Sequence, residues 1–427
     1  MRFRKDESGQ MIVMLAVSMT ALMGFMALAV DVGILFHVRR EVQIAADAAA
    51  MAGALDYHYN GSQSSATTAA QRAASQNGVT NGSNGTVAVS PQLGSLYNSP
   101  YGVGFVQAIV SVPNPTMFMR LFGMTSVNLV SSAVAGPGAS QGCVWTLGGS
   151  GTDIGGSGDL TAVNLVSGTG CEIYDNSNSG TALDLTGGGS ISAKQVGVTG
   201  GFSGTVRPTP ITGMVPVTNP LASLAAPGIP GGGSCPVESF TTGNHPLGPG
   251  CYSSISISGN ASMTLSAGNY TIQGDFSDSS SRGLTLGSGR YLVGKGLQLT
   301  GTGSVTGTGI SFFTGLTPPF TPSDATVLSR AGTVDLTAPN SGTDNGILIF
   351  QSGSDTQAMT ITEPGNSMTL EGIVYAPNAA LDFGGSGSNN VYADFVVGSL
   401  NITGSPRLQN YASVNTGTPL TKIVMVQ

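Results

Sequence analysis

The chain is short of charge. Of its 427 residues only 9% are Asp, Glu, Lys or Arg, against about 25% in an ordinary soluble domain. Lys and Arg number 15, and Arg2, Arg4, Lys5, Arg39 and Arg40 all precede Glu41. What remains is too sparse to track a phosphate backbone, so no nucleic-acid partner is expected. Histidine is as scarce: His37, His58 and His245 lie far apart. No CxxC, HExxH or phosphate-cradling GxxxxGK[ST] occurs, which leaves zinc centres and nucleotide-binding loops without a starting point. A carbohydrate-active site needs several carboxylates on neighbouring elements. Asp275 and Asp278 are close in sequence but border a Ser-rich turn. The chain therefore reads as a non-enzyme with no cofactor and no catalytic residue.

Cysteine is limited to Cys143, Cys171, Cys235 and Cys251. An even count in the latter part of the chain implies two disulfides formed in an oxidising compartment. Three pairings are open, and sequence proximity favours Cys143 with Cys171 and Cys235 with Cys251. A metal is the weaker reading, since only His245 lies near Cys251.

Long apolar runs are not lacking. Met11 to Val38 carries no charge until Asp31. A hydrocarbon core of about 30 Å needs roughly 20 residues rising about 1.5 Å each, and Met11 to Val30 supplies them. With Met11 at one interface, Asp31 falls among the headgroups of the other. The run has no polar face, which argues against a core helix of a soluble domain. A cleavable signal peptide is the alternative, with a basic start and Ala27-Leu28-Ala29 as its cleavage site. The run continues past that site, which favours an anchor. The exported look of the remainder puts the N-terminus in the cytoplasm and the bulk outside the inner membrane.

The stretch after Arg40 is Ala-rich and free of Pro up to Tyr59, which predicts a continuing helix. Val38, Val42, Ala45, Ala49 and Ala52 form one stripe. Ile44, Ala48, Met51 and Leu55 form another, and together they read as one wide packing face. Asp6 to Gln10, the apolar run, Asp31-Val32-Gly33, Arg39-Arg40 and Gln43 to Ala54 resemble the N-terminal signature of tight-adherence (Tad, Flp pilus) assembly proteins of the TadE/TadG-like kind. The resemblance implies an inner-membrane protein with a periplasmic domain that works with other pilus-assembly or envelope proteins. Larger members of that family often carry a von Willebrand A-type domain with a metal-binding loop.

Residues 1–59 are thus expected as anchor and Ala-rich helix, and 60–136 as a small α/β domain. Its expected elements are a helix over Ser64–Asn77, strands over Thr86–Ser90 and Gly104–Val112, a short helix after Pro115 capped by Gly123, and a strand over Val127–Ala135. From residue 137 to 427 the pattern is period two. Ile255/Ile257, Met263/Leu265, Tyr270/Ile272, Leu284/Leu286, Tyr291/Val293 and Leu297/Leu299 each enclose one residue. Three such units make a turn of about 20–24 residues, which predicts an all-β, right-handed parallel β-helix. A β-sandwich built of hairpins is the alternative fold. The Pro/Gly-rich stretch near 207–236 reads as a surface excursion, Thr317–Ser323 as a break, and Lys422–Val426 as a closing strand.

Two loops look like metal sites. Asp175-Asn176-Ser177-Asn178-Ser179 fits DxSxS, and Gly148 to Asp153 fits the calcium nonapeptide GGxGxD. The first lacks the expected flanking strand and helices, and the second lacks consecutive copies, as the variant at Gly384–Asn389 illustrates. Both read as turns. A glycan is the alternative partner: a carboxylate cluster on one face would favour an enzyme, and a groove of exposed aromatics an adhesin.

Overall fold

The computed structural model describes residues 8–91, 105–139, 142–162, 170–230, 234–362, 368–386, 390–415 and 418–425. The chain divides into two compact units, Met1–Gly138 with Thr421–Gln427, and Ala139–Leu420.

In the first unit, helix α1 runs unbroken over Ser8–Asn60. Its later part is packed on one side only: Val42, Ala45, Ala46, Ala49, Ala50 and Ala54 are buried. Helix α2, Gln63–Gln76, starts at Ser62, whose side chain accepts from the Ser65 N–H, and buries Ala66, Ala70 and Ala74. Small side chains let the two helices approach closely. A methyl placed on Gly53 would sit 3.2 Å from the Ala70 Cβ and 3.1 Å from the Val106 Cγ1. The wide face expected on α1 is only half used, because Ile44 and Leu55 of the second stripe stay exposed. One helix and one sheet cover a single side of α1 and leave the other bare.

That sheet holds β1 (Thr86–Pro91), β2 (Val106–Pro115) and β3 (Ser126–Ala139) in antiparallel register. Gly104, the expected start of β2, lies outside the described residues. A 3-10 turn over Met119–Phe122 ends at Gly123, whose φ of 87° suits a residue without Cβ. The C-terminal strand Thr421–Met425 joins this sheet beside β3. The tail was expected to close the period-two region, and instead it returns to the first unit.

The second unit is a stack of parallel strands, and every pairing described in it is parallel. Tyr270 lies opposite Tyr291, Phe276 opposite Leu297 and Leu284 opposite Val305, each a step of 21 residues, as for Asn269 and Arg290. Three columns result, because from Tyr270–Ile272 to Val334–Thr337 each strand pairs with the third one after it. Hairpins of a β-sandwich would need antiparallel neighbours. All six residue pairs named from the period-two pattern are buried. Tyr252, Tyr270, Tyr291 and Phe312 stack in succession at 6.2, 4.9 and 5.3 Å between ring centres. The three tyrosine hydroxyls each donate to the carbonyl four residues back, on Gly248, Ser266 and Gly287, so each ring is buried with its polar end satisfied.

The rungs do not stack in chain order. Phe395, Val396 and Val397 pair with Val144, Trp145 and Thr146, so the first rung of the unit sits on the last. From there the chain builds away through Glu172–Asp175 and Gln195–Val198 to Ile211–Thr212. It then resumes with Val237–Leu247, which pairs only with Ser254–Leu265 among the described strands, and builds back toward the starting rung. The Pro/Gly-rich stretch is the strap joining the two ends. Asn176 exchanges two hydrogen bonds with the Val217 backbone, both 2.7 Å. Asn219 donates to the Tyr375 hydroxyl at 2.9 Å. Leu221 packs with Trp145, Phe350 and Tyr375, and Ile229 approaches Gly294.

Candidate functional site

α1 is long and apolar enough to cross a membrane, and its most apolar window is unburied. Met11 and Val30 are exposed, Val38 is half-buried, and Asp31 between them is buried. Asp31, expected at the headgroup level, has partners within the protein that the sequence did not show. Backbone N–H groups of Met117, Phe118 and Met119 donate to its carboxylate, the first to Oδ1 at 2.9 Å and the others to Oδ2 at 2.8 and 2.6 Å. A carboxylate buried with three donors is stable where an unpaired one is not. The donors belong to the tip of the β2–β3 hairpin. Arg2, Arg4 and Lys5, the basic flank, lie outside the described residues.

Disulfides join Cys143 to Cys171 and Cys235 to Cys251. The first ties the rung at Gly142–Thr146 to the start of the next. The second closes the strap where the stack resumes. His245 has no metal-like setting: its ring stacks on Phe240 at 3.8 Å and its Nε2 lies 2.8 Å from the Thr242 carbonyl.

The two loops around Asp153 and Asp175 meet in the fold. Thr146 pairs with Asp175 across neighbouring rungs, and the Ser177 hydroxyl donates to the Gly151 carbonyl at 2.6 Å. The Asp153 carboxylate packs so closely over Gly148 that a methyl there would clash. Both acids are buried, and each has an Oδ2 with no hydrogen-bond partner among the described residues. Burial pushes the Asp153 carboxyl up to about 7, with the Asp175 charge adding to it. Burial pushes Asp175 up to about 6 against the Ser177 N–H and Thr146 hydroxyl, which favour its charged form. Among the described residues no group of three or more His, Cys, Asp or Glu converges.

Asp275 and Asp278 do not form a carboxylate pair. Asp278 points inward to Arg330, Nη1 to Oδ2 2.6 Å, with both side chains fully buried. Asp275 accepts the Gly296 N–H at 3.1 Å. Sequence reasoning missed Arg330, whose partner lies 52 residues earlier. It also passed over Gly138-Ala139-Ser140-Gln141-Gly142, which has the GxSxG spacing, but Ser140 and Gln141 lie outside the described residues. The Arg290 guanidinium is held by Asp344 and lies 5.1 Å over the Phe313 ring. Among the described residues of the second unit no aromatic side chain is fully exposed, and Tyr174, Phe202, Phe240, Phe320 and Tyr392 are half-buried.

Residues 9–56 match the family model described as putative Flp pilus-assembly TadE/G-like. The matched segment is the apolar helix with its Ala-rich continuation, and it links the chain to membrane proteins related to pilus assembly. No curated protein and no solved structure matches the chain.

Proposed function

We propose that this is a non-enzymatic, inner-membrane-anchored envelope protein of Tad/Flp-type pilus assembly or adhesion. α1 would cross the membrane with its N-terminus in the cytoplasm, and both units would lie on the periplasmic or extracellular side. The observation that carries this reading is the TadE/G-like segment coinciding with the one described helix able to span a bilayer. Two disulfides support an oxidising compartment. We read the parallel stack as a right-handed β-helix, since parallel crossovers take that hand and three columns with a 21-residue step fit a solenoid turn. Its role is to present a charge-poor, hydrogen-bonding surface to partner proteins. The domains under this reading are the anchor, the small α/β domain beside the membrane and the solenoid.

Cross-linking in intact cells, followed by purification from membranes, tests the proposal. Pilus or secretion components are expected among the cross-linked proteins. Recovery of none of them, together with measurable glycan cleavage by the purified chain, would replace it with a membrane-tethered carbohydrate-active enzyme.

A further inference from the structure

Nine consecutive residues of the first unit, Thr116–Met124, place five large apolar side chains in the open: Met117, Phe118, Leu121, Phe122 and Met124. Leu121 and Phe122 are 80% and 82% exposed. A soluble surface seldom clusters such side chains without a partner to cover them.

The hairpin's path along α1 says what covers them. At its base, Val106 of β2 packs on Gly53. Further along, Gln43 of α1 donates to the Ser132 carbonyl of β3. Val112 and Leu129 then join the packing that includes Val38. At the tip, the backbone of Met117–Met119 holds Asp31. The hairpin thus descends α1 from residue 53 to residue 31 and ends where the 20-residue apolar run ends. A chain segment bound at that level, with its apolar side chains free, sits at the same level along α1 as Val30, Val32 and Phe36, all exposed.

We propose that the β2–β3 hairpin tip is a second membrane-contacting element, with Phe118, Leu121 and Phe122 seated in the interfacial layer of the bilayer beside α1. Interfacial elements bury their apolar face about 5–10 Å deep. Arg120, the one charge at the tip and itself exposed, reaches outward to lipid phosphates with its methylenes along the apolar layer. The Asp31 carboxylate sets the depth by fixing the tip to the end of the span. The element turns a single helix, free to tilt and rotate, into a two-point attachment that orients the first unit on the membrane. This inference rests on α1 crossing the bilayer, and its test separates the two.

The full chain carrying Phe122→Trp is reconstituted into phosphatidylcholine nanodiscs with and without bromine on the upper acyl carbons. The native chain has one tryptophan, Trp145, which is buried and serves as the background. Emission from the new indole is expected to fall by about half in brominated lipid, as for a group at interfacial depth. Phe25→Trp, within the apolar run, reports on the span itself. Quenching of Phe25→Trp without quenching of Phe122→Trp overturns the tip proposal and leaves the anchor standing. Quenching of neither overturns both. A Phe122→Trp emission shielded from aqueous iodide yet blind to bromine assigns the tip to a protein partner and also overturns the proposal. Leu121→Trp repeats the reading at a neighbouring position should Phe122→Trp fail to fold, and Asp31→Ala in either background is expected to reduce the quenching.

Discussion

The first unit packs alanine on alanine around a long helix, whereas the second packs rings and branched side chains in columns. Ala45, Ala49 and Gly53 meet Ala66, Ala70 and Ala74. In the other unit Tyr270, Phe276, Tyr291 and Phe312 fill the interior. The contrast follows from geometry. Two helices approach closely only over small residues, and each contact then buries little area. Parallel strands about 4.8 Å apart bring equivalent positions of successive rungs into register, so the large side chains of one rung pack on the side chains at the same positions of the next. The first unit therefore depends on fit, and the second on the sum of buried area.

Truncating the columns breaks the comparison most sharply. Phe276→Ala leaves a ring-sized hole beside Tyr291 and Phe312 and costs about 3–5 kcal/mol. Thermal unfolding followed separately in the two units will lower the transition of the second and spare the first. Next comes the buried ion pair. Arg330→Met strands the Asp278 carboxylate in the interior at a cost of about 3 kcal/mol. The double change with Asp278→Leu restores part of it, as measured by denaturant titration of both variants. The reverse test is to enlarge the small-residue contact. Gly53→Val adds bulk where a methyl is already 3.1 Å from Val106, and about 2 kcal/mol is lost from the first unit alone.

The smallest effect is one of pH. Asp394 is fully buried, its Oδ2 has no hydrogen-bond partner among the described residues, and burial pushes its carboxyl up to about 8 against the Tyr411 N–H it accepts. The unfolded chain loses that proton near pH 4, whereas the folded chain holds it to about pH 8. Stability conferred by this group is thus full below pH 4 and declines as pH rises through that window. Asp394→Asn is expected to flatten the decline by about 1 kcal/mol between pH 6 and pH 7, read from melts of both forms across the range.

What was legible in the sequence was whatever leaves a local period. Alternation revealed the inward residues of the strands, and the spacing of pairs pointed to a turn of about 20–24 residues, a range that holds the 21-residue step of the structure. The order of the rungs left no trace, because the pairing of Phe395 with Val144 depends on a strap whose Pro/Gly composition marks it as irregular but not where it goes. The second stripe on α1 misled for a related reason: Ile44 and Leu55 fit helical spacing whether or not anything covers them. Asp31 was visible as the charge ending the apolar run. Its partners were not, since backbone N–H groups 86 to 88 residues away carry no side-chain signature. Asp153 and Asp175 stood out as separate loops, and only the register of neighbouring rungs brings them together.

Membranes washed with alkaline carbonate, then labelled with a thiol reagent before and after reduction, test the account most directly. The intact chain is expected in the pellet, with its four cysteines unreactive until a reductant is added. A chain recovered in the soluble fraction with thiols that label at once would contradict both the anchor and the oxidising compartment.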